Sequence, residues 1–145
     1  MITIALDLVS DTHCKHDLLK FPKPEADVHI LCHSGDFSHF GKVHEVTNFA
    51  NWCTSQDHDY KVVIAGNHEM LMDTVKFKDP VFLWELAKNK LPGSPTPSNL
   101  LSDRGIHYLE ETSVTIEGLK FFGTPYSSRF FDWGFQADPG ADAVA

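Results

Sequence analysis

From Ile2 to Val9 the chain alternates apolar and mixed positions and then turns fully apolar, which predicts a strand. Val28–His33 and Tyr60–Ala65 are short apolar runs that predict two more. Between them, Val43, Val46, Ala50 and Cys53 recur at helical spacing, and Phe49 and Trp52 widen the stripe. Residues 41–56 therefore predict an amphipathic helix. Asp79 as cap and Pro80 at the first helical position predict another over 79–90, followed by the breakers Pro92 and Gly93. The proline-rich stretches 21–27 and 91–99 read as connectors. Residues 106–126 read as short strands with a hairpin turn at Glu117-Gly118. Strand, connector, strand, helix, strand, helix and hairpin, in that order, predict an α/β core on a parallel sheet. The last stretch, from Gln136, is small, polar and aperiodic. It is expected to fray, giving one domain over 1–136 and an irregular tail over 137–145.

Each of the three predicted strands runs into a polar cluster. The first ends in Asp11 and His13, the second in Asp36, and the third in Asn67, His68 and Glu69. In open α/β sheets ligands bind beyond the carboxyl ends of the strands, so parallel strands would bring these groups together. Gly35 and Gly66 stand immediately before Asp36 and Asn67, where a glycine lets the chain leave the sheet sharply. Singly, each residue has a plainer reading: Asp and Asn as turn formers, His13 as a surface histidine. Their recurrence after three successive strands points instead to one site. Two Asp, one His and one Asn make a mixed oxygen and nitrogen set suited to Mn, Fe, Zn or Mg. Glu69 reads as an orienter of a neighbouring histidine. His16, His33, His39 and His44 read as solvated or core histidines, His29 as a packing residue in its strand, and Arg129 as a surface arginine.

Charge narrows the field. Twenty Asp and Glu against 12 Lys and Arg give a formal net charge of -8. That balance argues against a broad nucleic-acid or anionic-membrane surface, although bound cations can still attract an anionic substrate. No segment approaches the roughly 18 apolar residues of a membrane span. The N-terminus has no basic leader, and Cys14, Cys32 and Cys53 lack CxxC pairing, so free thiols in a reducing cytoplasm are expected.

The blocks "DTH" (Asp11–His13), "GDFSHFG" (Gly35–Gly41) and "GNHE" (Gly66–Glu69) resemble the first three signature blocks of the calcineurin-like metallophosphoesterases. The flanking "HSGDFS", "YKVVIAGNHE", "GTPYS" and "WGFQ" are similar to the branch of metallophosphoesterase domain-containing proteins, over residues 4 to 136. The resemblance implies a sandwich of two β-sheets flanked by helices. It implies a phosphodiesterase acting on small phosphate esters such as cyclic nucleotides, with two divalent ions, Mn first among Mn, Fe, Zn and Mg. By the same resemblance Asp11 and His13 hold the first metal, Asp36 bridges, Asn67 holds the second, and His68 stays off the metals and protonates the leaving alkoxide or contacts the phosphate. The chemistry agrees: two cations about 3.5–4 Å apart can clamp phosphoryl oxygens. Asn67 adds a ligand without adding negative charge, and an imidazole can serve as general acid near neutral pH.

Family members continue with a later histidine block and a GHxH-like pair, whereas the last histidine here is His107. The expectation is a truncated N-terminal portion of the fold, with the C-terminal part missing and self-association a way to complete it. The rival expectation is a shortened, non-catalytic module that binds metal or nucleotide. Partners are expected to be small phosphate esters, with no membrane or nucleic acid.

Overall fold

The apolar runs form the strands β1 (Ile4–Val9), β2 (Val28–Ser34) and β3 (Tyr60–Ile64), which pair in parallel in that order. This is a computed structural model, and it describes residues 1–77, 98–138 and 140. A short strand β4 (His107–Tyr108) adds to β3, again in parallel. The predicted helix over 79–90 and most of the connector after it lie outside the described residues. The end of that connector is not loop throughout, because Asn99–Ser102 form a short helix, α2, that follows the first helix, α1 (Val43–Ser55).

Alternation along β2 and β3 sends side chains to two faces. On one face Leu31 and Val63 join Val43, Val46, Phe49, Ala50 and Cys53 of α1, with Leu100 and Leu101 of α2, in the main core. On the other, Ile30 and Val62 form a second core with Leu109 and Ile116. That core lies under the antiparallel hairpin of β5 (Thr112–Ile116) and β6 (Leu119–Gly123), whose Val114 and Phe121 pack against it. The turn falls at Glu117 and Gly118, with φ of 48° and 83°, as a primed hairpin turn requires. A last pair, β7 (Ser127–Ser128) with β8 (Gln136–Ala137), is parallel. Gln136 and Ala137 are therefore laddered rather than frayed: the main-chain bond from Ser127 to Phe135 fixes them, and composition does not reveal it. The architecture is α/β, a parallel sheet with a helix on one face and a hairpin on the other.

Register positions the site. Val9 lies opposite His33, and His33 opposite Val63, so β1, β2 and β3 reach the same edge of the sheet together. The three polar clusters therefore leave the sheet side by side.

Candidate metal centre

His13, Asp36 and His68 bring one ligand-type atom each within 4.8 Å of the others. They come from the loops after β1, β2 and β3 respectively, as the parallel order requires. Backbone bonds lock the loops together: Asp11 donates to the Gly35 carbonyl at 3.0 Å, His13 to Asp36 at 3.0 Å and Cys14 to Phe37 at 2.9 Å. Asp11, His13, Cys14 and Asp36 all take positive φ, between 41° and 62°. Four side-chain-bearing residues in this region mark strain concentrated at one edge, the usual signature of a functional constellation.

Gly35 and Gly66 are needed for different reasons. Gly35 has φ of +93° and its missing Cβ faces Gly66, whose Cα would lie 2.8 Å away. A Cβ on Gly66 would meet Asp36 Oδ1 at 2.3 Å and Asp36 N at 2.7 Å. Gly66 thus serves close approach of the loops after β2 and β3, where the sequence suggested a sharp exit from the sheet.

Glu69 sits at the centre of this lock. It is fully buried, and its carboxylate accepts from Asp36 N (2.8 Å) and Gly66 N (2.7 Å) on Oε2. On Oε1 it accepts from Ser38 N (2.8 Å) and the Ser38 hydroxyl (2.7 Å). No histidine is among these partners, which corrects its expected role: Glu69 holds backbone, orienting Asp36 and the Gly66 turn rather than a ring. Burial pushes its carboxyl up to about 7, against the downward pull of the Ser38 and Gly66 donors. Glu45 does parallel work on the rest of the same loop. It accepts from the backbone N–H of His39 (3.3 Å), Phe40 (3.2 Å) and Lys42 (2.9 Å). Burial raises its carboxyl, but these N–H bonds outweigh burial and hold it below the usual range.

The imidazoles are aimed by carbonyls. His13 Nδ1 lies 3.3 Å from the Ser38 carbonyl and His68 Nδ1 lies 3.1 Å from that of His39. A carbonyl only accepts, so in the neutral rings both Nδ1 atoms carry the proton and both Nε2 atoms are lone-pair donors. Metal-ligating histidines are oriented in this way. The two rings meet edge to face with centroids 4.5 Å apart, and Trp133 walls His68 at 4.3 Å. The Asp36 carboxylate accepts from His68 N at 2.9 Å through Oδ1. One carboxylate and two oriented imidazoles form a donor set that fits a borderline divalent cation.

The other expected ligands lie at the same edge. Asp11 is exposed and stands outside the group of three, and half-buried Asn67 receives Gly134 N on its main-chain carbonyl at 3.1 Å. His33 and His16 are core histidines, as expected. His33 bonds Thr12 Oγ1 at 2.9 Å, and burial lowers its pKa to about 4. His16 packs on Phe49 and Trp52. Arg129 forms a two-pronged pair with Asp138, 2.7 Å on one prong, so it is committed to the chain itself. The three cysteines are free. Sequence reasoning missed Ser38, Glu45 and Trp133. Of these only Glu45 left a signal, as the third residue of a helix reaching back to cap its own start. A cavity of about 440 Å³, lined by Cys14, His16, His39, His44, Glu45 and Asn48, opens beside the loop that carries His13.

The pattern of calcineurin-like phosphoesterases matches residues 5–137. Metallophosphoesterase domain-containing protein 1 of Homo sapiens is 33% identical over 137 residues, 91% of this chain and 40% of that protein. UPF0046 protein C25E10.12 of Caenorhabditis elegans is 39% identical over 123 residues, 83% of this chain and 40% of that protein. The chain therefore spans about 40% of the length of these relatives. Among the described residues no helix is long and apolar enough to cross a membrane. With nearly the whole chain matched and the signature blocks meeting at one sheet edge, the chain belongs to the calcineurin-like phosphoesterase family, a family of metal-dependent phosphoesterases.

Proposed function

We propose that this chain carries the metal-gripping half of a phosphodiesterase that hydrolyses small phosphate esters, cyclic nucleotides among them. The observation that supports it most is the convergence of His13, Asp36 and His68 from three successive strand ends. In this reading Asp11 and His13 would hold one divalent cation and Asn67 the other, with Asp36 as a ligand shared by both, and Mn, Fe, Zn and Mg are candidates with Mn first. The bound pair supplies Lewis-acid polarisation of the phosphoryl group. The chain's own residues do the rest. Asp36 is held by Glu69 through its N–H and so keeps its carboxylate at the shared position. His68, oriented by the His39 carbonyl and walled by Trp133, stays off the metals and, when protonated on both nitrogens, gives its Nε2 proton to the leaving alkoxide while Nδ1–H keeps its carbonyl. The net charge of -8 favours a small substrate over nucleic acid, and the unpaired thiols fit a cytoplasmic setting.

The test is hydrolysis of bis(p-nitrophenyl) phosphate with added Mn²⁺ by the wild-type chain, His68→Ala and Asp36→Ala. Loss of about 100-fold or more in rate is expected for each variant, the scale of a positioned general acid. Equal rates in all three would sink the proposal. Mn²⁺ bound by the wild type without any hydrolysis would favour the rival reading, a non-catalytic metal-binding module.

A further inference from the structure

A second convergence of donors lies toward the opposite end of the same sheet. Asp7 is on β1 and His29 on β2; their register partners, Leu31 and Ala5, place both side chains on the α1 face, two rungs apart. His58 belongs to the turn just before β3. His29 Nε2 lies 2.7 Å and His58 Nε2 3.0 Å from the same oxygen, Asp7 Oδ2. All three ligand-type atoms fall within 4.8 Å of one another. His29 is four residues before His33, about 13 Å along the strand, so this group is separate from the His13 cluster.

The group is rigid and shielded. The side chains of His58, His29 and Asp7 are 2%, 12% and 25% exposed. The two rings lie with centroids 3.9 Å apart, and Phe21 meets His58 edge-on at 5.0 Å. The turn is tied down by Lys61 Nζ on the His58 carbonyl, 2.6 Å, and by His58 N on the Gln56 carbonyl, 2.9 Å. Without a cation, one carboxylate oxygen has to accept from two Nε2–H groups at once. His58 Nδ1 is a buried atom with no partner among the described residues, so Nε2 carries the ring's polar contacts there. Two imidazoles and one carboxylate are a standard set of three protein ligands for a transition metal, with further positions open. Both imidazoles line a cavity of about 380 Å³, along with Phe21, Trp52, Lys20 and Lys23, and a further ligand can enter there.

We propose that Asp7, His29 and His58 form a second divalent transition-metal site, independent of the phosphoesterase centre and open to this cavity. The ion binds the Nε2 lone pairs once each neutral ring carries its single proton on Nδ1 instead, the Nε2 proton passing to solvent as Nδ1 takes one up, and it cross-links β1, β2 and the turn before β3. With ligand bonds of about 2.0–2.2 Å, the donor atoms need to spread by only a few tenths of an ångström.

Calorimetric titration with Zn²⁺ of the His13→Ala/Asp36→Ala/His68→Ala chain tests this. One equivalent should remain, and adding Asp7→Asn and His29→Gln should weaken it by about tenfold or more. Unchanged Zn²⁺ binding after those two substitutions would overturn the proposal. A second measurement needs no variant: on the wild-type chain, carbethoxylation of His29 mapped by mass spectrometry should be suppressed by saturating Zn²⁺. Equal modification of His29 with and without Zn²⁺ would also overturn it.

Discussion

At the residue scale the site depends on missing atoms as much as on present ones. A methyl group on Gly66 would sit 2.3 Å from Asp36 Oδ1, against an atom already fixed by His68 N at 2.9 Å. Neither can move freely, since Glu69 holds both Gly66 N and Asp36 N. Gly66→Ala should therefore destabilise the chain by about 1–3 kcal/mol, the cost of overpacking a close contact. It should also weaken Mn²⁺ binding, because Asp36 gives way first. Urea unfolding and Mn²⁺ calorimetry on the same preparation measure the two effects. Wild-type values for both would show that the contact relaxes without cost.

At the scale of elements, α1 supports the site as well as the core. Phe49 stacks on Phe37 of the loop after β2 with ring centroids 4.1 Å apart, and both are fully buried. The helix start holds the same loop through Glu45. Phe49→Ala should cost about 3–5 kcal/mol. Glu45→Gln should cost less, about 1–3 kcal/mol, by leaving loop N–H groups poorly paired. The measurement is the denaturant midpoint of each variant, and a larger loss for Glu45→Gln would show that the cap outweighs the stack. What the sequence made legible here follows from periodicity. The stripe of Val43, Val46, Ala50 and Cys53 predicted α1, and three apolar runs predicted β1, β2 and β3 at nearly their observed limits. Parallel order then placed His13, Asp36 and His68 together. What stayed hidden were contacts without periodicity. The sequence points Glu69 at a ring, because an acid beside a histidine looks the same whether it grips a side chain or a backbone. His29 read as packing, since nothing local announces that Asp7 and His58 will meet it.

For the molecule as a whole, the buried histidines set an acid limit. Burial lowers the pKa of His33 to about 4 from an ordinary value near 6.5. Below the ordinary value the unfolded chain takes up a proton that the folded chain refuses. The stability from keeping His33 neutral is therefore complete above about pH 6.5 and is lost as pH falls toward 4, about 3 kcal/mol across the window. His16, also lowered by burial, steepens the same fall. Unfolding free energies from pH 7 to 4.5 should show this decline, and His33→Gln, which can still bond Thr12, should flatten it. A parallel curve for the variant would place the acid limit elsewhere.

The shared edge of β1, β2 and β3 has a temporal consequence. The loops that carry His13, Asp36 and His68 are far apart in the chain and are joined by crossovers, so no hairpin-sized fragment contains the cluster. Parallel pairings close large loops before their contacts can repay the entropy. The His13, Asp36 and His68 donors therefore come together only once all three strands have docked. A cation bound at that centre would reward the finished sheet and offer little to the unfinished one, which would make it a seal on folding rather than its seed.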